Sequence, residues 1–443
     1  MPDKLSILLS FLIGFFAIGS WIDLNGLWVE VPLLINNLPE GPQLPTYVVA
    51  IVQLGNIAPL IYMGVHCIKK FRNIERFTIY LIFSIGCICC ALLSVFWNHT
   101  LKIHTLGIWR QSSLPFFILI WLLSVVDTTS SVTFLPYLIN YPRHFITALY
   151  VGEGLSGFIP GIVGLIQGIG GEPYCANKTI FNNGTSYNST SSKVYPPPRF
   201  SISIFFLFLF VMLVMCLVSF SLVDNCHCFR KYQLEPNQID IVSSATITEN
   251  SSDREIEIFS SKEKLPVFSA SEGQSNKKWI FYILLVAYIN FFTNGALPSI
   301  QNYSLMPYGI VLYHVIVNIS QILNPLACLL TLYPWRVTIW SVIIMTTFGS
   351  LGVAYIILAA CKSPLPIINS YPIGDIIISL CWFLVSILFS FEKTLLALEL
   401  QKQGHVWLQL CGVMTQVGST LGSIVIFILV VILNTFHSKQ IIC

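Results

Sequence analysis

Residues 19–32, GSWIDLNGLWVEVP, place polar and aromatic side chains at the end of the first apolar stretch of the chain. Trp21 and Trp28 are seven residues apart with Asn25 between them, so a helix presents all three on one face. Two indole rings and an amide suit a planar aromatic solute, because the rings stack and the amide forms hydrogen bonds. The spacing therefore predicts a binding site for such a solute.

Two acidic residues within apolar stretches, Glu30 and Glu153, have no Lys or Arg near them in the sequence. A charged side chain at the centre of a membrane costs about 2.5–3.5 kcal/mol on insertion scales, so such residues face the bundle interior or a cavity. This favours a proton-exchanging or hydrogen-bond-accepting role. The alternative places Asp23 and Glu30 at the outer interface, with Trp21 and Trp28 as interfacial aromatics.

The composition is that of a membrane protein. The 443-residue chain is 55% hydrophobic and 10% charged, whereas soluble domains have about 25% charged residues. Its mean hydropathy is +0.76. The formal net charge is only +3 and the basic residues are scattered, so no nucleic-acid partner is expected.

Eleven apolar stretches are long enough to cross a bilayer, which takes about 20 residues in a helix. They are residues 5–34, 46–66, 77–97, 115–138, 145–169, 201–223, 279–300, 308–332, 337–360, 373–397 and 406–434. The first is too long for one straight crossing, and Gly19, Gly26 and Pro32 predict a kinked or broken helix there. The predicted fold is an all-α polytopic membrane protein.

The distribution of basic residues predicts the orientation of these spans. A cytoplasmic N-terminus places 16 Lys and Arg inside and 7 outside, and an odd number of spans places the C-terminus outside. Glycosylation sequons agree with this orientation at four positions, namely Asn98, Asn177, Asn183 and Asn188. The sequon at Asn302 also falls outside, whereas those at Asn250 and Asn318 fall in a cytoplasmic loop and in a helix.

A polar segment divides the chain into two halves. Residues 224–278 are charged, Ser-rich and poor in aromatics, which predicts a mostly disordered cytoplasmic linker. It separates a six-helix bundle, residues 1–223 with an outer loop at about 170–200, from a five-helix bundle, residues 279–443. Asn25 and Asn56 in the first half correspond to Asn294 and Asn324 in the second, with similar spacings. The halves are therefore predicted to be parallel repeats around a central cavity, as in major-facilitator-type transporters.

The number of cysteines gives little indication of a catalytic, metal-binding or disulfide-rich site in this sequence. Most of the 13 cysteines lie inside apolar runs, where a thiol packs as a small hydrophobic group. Cys175, Cys361 and Cys443 lie in or near outer loops, which leaves open one disulfide bridge among them.

No pattern indicates an enzyme, a cofactor or a metal site. Residues 152–157 match GxGxxG, but that fingerprint requires a preceding strand and these residues lie in an apolar helix. Gly157, Gly161 and Gly164 are better explained by close helix packing. An acyl transferase with a catalytic His314 ranks last, because no second catalytic group is placed beside it.

Long blocks of the sequence resemble the animal riboflavin transporter family of solute carriers. They are GSWIDLNGLWVEVPLLINNLPEG at 19–41, VDTTSSVTFLPYL at 126–138, VGEGLSGFIPGIVGLIQG at 151–168 and NFFTNGALPSIQNYSLMPYGIVLYHV at 290–315. The resemblance implies an eleven-helix plasma-membrane carrier that takes up riboflavin without sodium, in some members assisted by acid pH. It also implies a six-plus-five fold similar to equilibrative nucleoside transporters.

The resemblance also implies roles for individual residues. Trp21, Asn25, Trp28 and Glu30 of the first helix look like flavin-site and coupling residues, and the opposite wall is predicted to comprise Asn294, Gln301, Tyr308 and His314. Glu30 and Glu153 are the predicted proton-coupling groups. Asp127 lies in a family block to which no role is assigned.

Two other functions remain open on the sequence. A nucleoside or nucleobase carrier would share the fold, and competition with uridine or adenosine would distinguish it. A receptor-like protein would use the glycosylated outer loop as a docking surface. The expected partners are riboflavin as substrate and membrane lipid, and the oligomeric state is not determined by the sequence.

Overall fold

The computed structural model describes most of the chain, including all of the predicted spans. The described residues are 4–68, 74–105, 108–138, 141–169, 171–172, 174–182, 185–194, 196–232, 275–333, 335, 337–368, 370, 372–403 and 405–438.

The first half consists of eight helices that form six spans. They are α1 (Lys4–Ile18), α2 (Ile22–Leu34), α3 (Leu44–Leu54), α4 (Ile57–Ile68), α5 (Ile74–Phe96), α6 (Leu114–Leu138), α7 (Arg143–Gln167) and α8 (Ile202–Asn225). The pair α1 and α2 bends by 47° at a short break and forms one broken span. At this break Gly19 packs so closely on the Phe83 ring that an added Cβ would lie 2.4 Å from it. The predicted interruption of the first helix is thus present.

The second half consists of six helices that form five spans. They are α9 (Ser275–Asn290), α10 (Leu297–Leu305), α11 (Ile310–Leu329), α12 (Ile339–Lys362), α13 (Ile373–Lys402) and α14 (His405–Phe427). A π-helical segment, Phe291–Ala296, joins α9 to α10 in one apolar span. With the bent pair counted as one, the described residues contain up to 11 membrane-crossing helices. The predicted helical, multi-pass fold is confirmed.

Two β-hairpins in loops between spans were not predicted. Strands β1 (Leu101–Thr105) and β2 (Ile108–Ser112) pair between α5 and α6, and strands β3 (Tyr174–Asn182) and β4 (Thr185–Val194) pair between α7 and α8. Both pairings are antiparallel, as short connections require. Cys175 in β3 is disulfide-bonded and Cys361 is a free thiol, whereas Cys443 lies outside the described residues.

The polar linker is shorter at both ends than its composition predicts. Helix α8 continues to Asn225, a 3-10 turn follows at His227–Tyr232, and α9 begins at Ser275. The polar residues at these positions form the ends of helices, which hydropathy alone assigns to the linker. Residues 233–274, on which the predicted disorder falls, lie outside the described residues.

Glycines of α7 bring helices into close contact, as predicted for Gly157, Gly161 and Gly164. A Cβ added to Gly152 would lie 2.0 Å from the carbonyl oxygen of Gly14 on α1. Farther along, Gly161 packs on α11, where a Cβ would lie 2.9 Å from Ile322. The glycine motif of α7 therefore serves packing within the first half and between the two halves.

An ion-pair cluster fixes the ends of α5, α6 and α8. Arg76 Nη2 lies 2.6 Å from Asp224 Oδ2, and the hydroxyls of Tyr80 and Tyr137 donate to the same carboxylate at 3.2 and 3.1 Å. The Asp224 side chain is only 4% exposed, whereas Arg76 is 40% exposed, so screening weakens the ion pair.

We expect Asp224→Ala to lower the unfolding free energy by about 2 kcal/mol, because it leaves two tyrosine hydroxyls without their acceptor. Thermal unfolding of the purified protein in detergent measures this. Tyr137→Phe removes one of the three donors and should cost less. An equal loss in both variants would contradict a role for the carboxylate as the shared acceptor.

A cavity between the two halves

A cavity of about 1140 Å³ lies between the two halves and receives side chains from both. Its lining includes residues of α2, α3, α6 and α7 from the first half, and of the π-helical segment, α10, α11, α13 and α14 from the second. Ligand pockets usually measure about 300–1,000 Å³, so this volume accommodates a three-ring aromatic molecule with a polar side chain.

The wall formed by α2 carries the face predicted from the first apolar stretch. Trp21, Asn25 and Trp28 line the cavity and are the only partly buried residues between positions 21 and 35. Asn25 Nδ2 donates to Ser156 Oγ at 3.1 Å, and this hydroxyl donates to the carbonyl oxygen of Glu153 at 2.6 Å. The amide oxygen of Asn25 accepts no hydrogen bond from the described residues and lies on a face flanked by two indoles. This arrangement can stack on a planar ring and donate or accept hydrogen bonds at its edge.

The opposite wall is formed where α9 changes to α10. The π-helical segment contains Asn294, whose Nδ2 donates to Asn290 Oδ1 at 2.9 Å, and Gln301 follows two turns later. Both amide side chains line the cavity. Single π-helical turns inside α-helices are frequent at functional sites, because the extra residue re-aims the side chains next to it. The cavity thus has amides facing it from both halves.

One end of the cavity is closed by direct contact between the halves. Thr46 Oγ1 donates to the carbonyl oxygen of Ser299 at 3.1 Å. A Cβ on Gly164 of α7 would lie 2.1 Å from Asn318 Oδ1 of α11 and 2.2 Å from Val29 Cγ1. At the opposite end the lining residues Tyr150, Leu329 and Leu398 are exposed, which makes that end the open one.

Three of the predicted site residues lie off the cavity. Glu30 is fully buried, and the amide of Gln167 is the polar group that interacts with it. Tyr308 Oη accepts from the backbone nitrogen of Ile367 at 3.3 Å. His314 is 2% exposed and its Nε2 has no partner among the described residues.

Helix geometry explains these placements. Glu30 is two residues from Trp28, which puts it on the other side of α2. His314 precedes Val317, the first residue of α11 that lines the cavity, by one turn, and Tyr308 lies still farther from it. Both therefore lie beyond the closed end. Glu153, by contrast, lines the cavity.

Helix α13 contributes a polar stripe that the sequence reading did not single out. Trp382, Ser386, Ser390 and Lys393 all line the cavity. They recur every three to four residues, which is the signature of one helix face. The signal was therefore present, but serines in an apolar run do not stand out by residue type. Among the described residues, no group of three or more His, Cys, Asp or Glu side chains is placed to bind a metal ion.

The sequons occupy different environments. Asn98 is exposed just after α5, and Asn177 and Asn188 lie on the hairpin formed by β3 and β4. Asn183 lies outside the described residues. Asn302 is fully buried in α10, so its predicted position in a loop is wrong: the residue is inside the helix packing.

Comparison with known proteins agrees with this arrangement. Residues 5–438 match the model of the solute carrier family 52, riboflavin transporter. The chain is 36% identical over 441 residues to solute carrier family 52, riboflavin transporter, member 3-A of Danio rerio, with 96% of each chain covered. It is 31% identical to solute carrier family 52, riboflavin transporter, member 3 of Homo sapiens, with 98% of each chain covered.

Solved transporter structures share the fold at low sequence identity. A D-xylose-proton symporter superposes with a TM-score of 0.51 at 11% identity, covering 96% of this chain and 89% of the other. The POT family transporter PepTSo gives a TM-score of 0.51 at 12% identity, covering 98% and 90%. At this identity the similarity concerns the fold alone.

Proposed function

Because the chain belongs to solute carrier family 52, the riboflavin transporters, we propose that it takes up riboflavin across the plasma membrane by alternating access. The protein is a multi-pass membrane transporter and not an enzyme. The observation that carries the proposal is the cavity between the halves, with two indoles and an amide on α2 facing the amides of Asn294 and Gln301. The isoalloxazine ring lies between these walls.

The proposed transport cycle uses the difference between the two ends of the cavity. With the N-terminus in the cytoplasm, the end closed by Gly164 and Asn318 faces outward and the open end faces the cytoplasm. Rocking of the halves separates the outer contacts and closes the inner end, which exposes the site to each side in turn. We propose that this cycle requires no sodium and responds to pH, with Glu30 and Glu153 as candidate proton-exchanging groups.

Uptake of radiolabelled riboflavin by cells expressing the chain tests the function. We expect saturable uptake that is unchanged when sodium is replaced, is displaced by unlabelled riboflavin and is not displaced by uridine or thiamine. Displacement by uridine would favour the nucleoside carrier instead. Absence of uptake by protein shown to be at the cell surface would reject the proposal.

The proposed orientation predicts N-glycosylation of the loops after α5 and α7. We expect Asn98→Gln to remove one glycan and the triple change of Asn177, Asn183 and Asn188 to Gln to remove those of the longer loop. Mobility on gels before and after glycosidase treatment measures both. Asn302→Gln is the matched control and should leave mobility unchanged, because Asn302 is buried. Glycans at none of these positions would count against the orientation.

A further inference from the structure

Two fully buried carboxyl groups meet in the first half, away from the cavity lining. Asp23 is in the first turn of α2 and Asp127 is in the middle of α6, and each is 0% exposed. Their side chains interact directly with one another. They are 104 positions apart in the sequence, so only the fold brings them together.

The start of α2 supplies the polar surroundings of this pair. The backbone nitrogen of Leu24 donates to Asp23 Oδ1 at 2.8 Å. Free amide groups at a helix N-terminus carry the equivalent of about half a positive charge. This stabilises one carboxylate but not two negative charges at one position.

In the part of the chain that the structure describes, no cation compensates a second negative charge beside the pair. The titratable groups that face the pair from the helices packed against it are thiols: Cys87, Cys89 and Cys90 of α5 and Cys216 of α8. Among the described residues, no Lys, Arg or His interacts with either carboxyl.

Without a bound proton, the two carboxyl groups have oxygens that no hydrogen-bond donor reaches. Counted as carboxylates, Asp23 Oδ2 and both oxygens of Asp127 are buried acceptors without a donor among the described residues. Two ionised carboxylates can only accept hydrogen bonds and repel each other when in contact. A single proton turns one of them into a donor to the other, which pairs two of these three oxygens and removes one of the two negative charges.

We propose that Asp23 and Asp127 form a proton-binding site that holds one shared proton and keeps α2 against α6. Ser130 reinforces the same junction, because its hydroxyl donates to the carbonyl oxygen of Ser20 in the break before α2, at 3.2 Å. Helix α2 carries Asn25 and Trp28 on its other face, with Trp21 just before its first residue. Loss of the shared proton therefore separates α2 from α6 and displaces one wall of the cavity.

The effect of this site on uptake rests on the proposed function, whereas the binding of a proton by Asp23 and Asp127 can be tested without it. Infrared difference spectra of the purified full-length protein, recorded between acid and alkaline buffer, detect the carbonyl band of a buried protonated carboxyl group. We expect the wild type to show a component of this band that is lost at alkaline pH and is missing from both Asp127→Asn and Asp23→Asn, whereas the components from Glu30 and Glu153 remain in all three proteins. Asp375→Asn, which removes a partly exposed carboxyl at the start of α13, should keep the band.

Uptake measured across the same buffers tests the link to transport. An Asn amide donates to the remaining carboxylate without needing a bound proton. The fall in uptake between acid and alkaline buffer should therefore be at most half as large in Asp127→Asn as in the wild type. A band unchanged in both Asn variants would overturn the proton site, and a wild-type pH dependence retained in full by Asp127→Asn would overturn its role in transport. A band that behaves as expected in a protein without riboflavin uptake would leave the site standing and reject the proposed function.

Discussion

Trp28→Ala should reduce riboflavin uptake at low substrate concentration by about 5- to 150-fold. Stacking of an aromatic side chain on a base contributes about 1–3 kcal/mol by alanine substitution, and the isoalloxazine ring presents a larger face than a base. Trp28 lines the cavity one helical turn from Asn25 and is partly exposed to it. Trp28→Phe keeps an aromatic face and should retain most of the uptake.

The chain offers a matched control for this substitution. Trp121 on α6 is 42% exposed and lies outside the cavity lining. We expect Trp121→Ala to leave the concentration for half-maximal uptake unchanged at equal surface expression. If Trp121→Ala and Trp28→Ala were equally impaired, the loss would reflect a general requirement for tryptophan in the membrane and not stacking in the cavity.

Trp28 and Glu30 show which side-chain positions helical periodicity predicts in the first span. A spacing of seven residues predicted one shared face for Trp21 and Trp28, and both line the cavity, although Trp21 is the non-helical residue just before α2. The same rule puts Glu30 on the far side, yet family resemblance assigned it to the flavin site. The structure places Glu30 beside Gln167, outside the cavity lining.

Other features depend on information that local sequence does not contain. Hydropathy located every span, because the thickness of the bilayer sets the length of each helix. It could not locate the π-helical segment at Asn294, since hydropathy does not distinguish a π-helical backbone from an α-helical one. The Asp23 and Asp127 contact depends on the packing of α2 against α6. Interactions between residues far apart in the sequence follow from the fold and not from the composition of either helix.

Gly164 connects these observations to the transport cycle, because it lies where α7 meets α2 and α11 at the closed end of the cavity. A Cβ at this position would lie 2.1 Å from Asn318 Oδ1 and 2.2 Å from Val29 Cγ1. Asn318 cannot swing away without losing the bond from its Nδ2 to the carbonyl oxygen of His314, at 2.7 Å. Val29 is β-branched and stiff, so neither neighbour yields easily.

Gly164→Val should therefore disfavour the state in which the outer end is closed. Overpacking in a tight contact costs about 1–3 kcal/mol, which corresponds to an uptake reduced about 5- to 150-fold. Because the cavity wall itself is unchanged, external riboflavin should still bind to intact cells with near wild-type affinity. Measuring binding and uptake on the same cells separates a blocked cycle from a misfolded protein, which would lose both.

Gly412→Val in α14 is the control for Gly164→Val, because a Cβ at Gly412 would have nothing within 4 Å. It should leave binding and uptake at wild-type levels. Wild-type uptake by Gly164→Val would mean that the contact between α7 and α11 need not be tight for transport, and the outer end would then have to close through other contacts such as that of Thr46 with Ser299. Loss of uptake with binding retained would instead identify the glycine contact as the point where the two halves must meet before riboflavin can leave toward the cytoplasm.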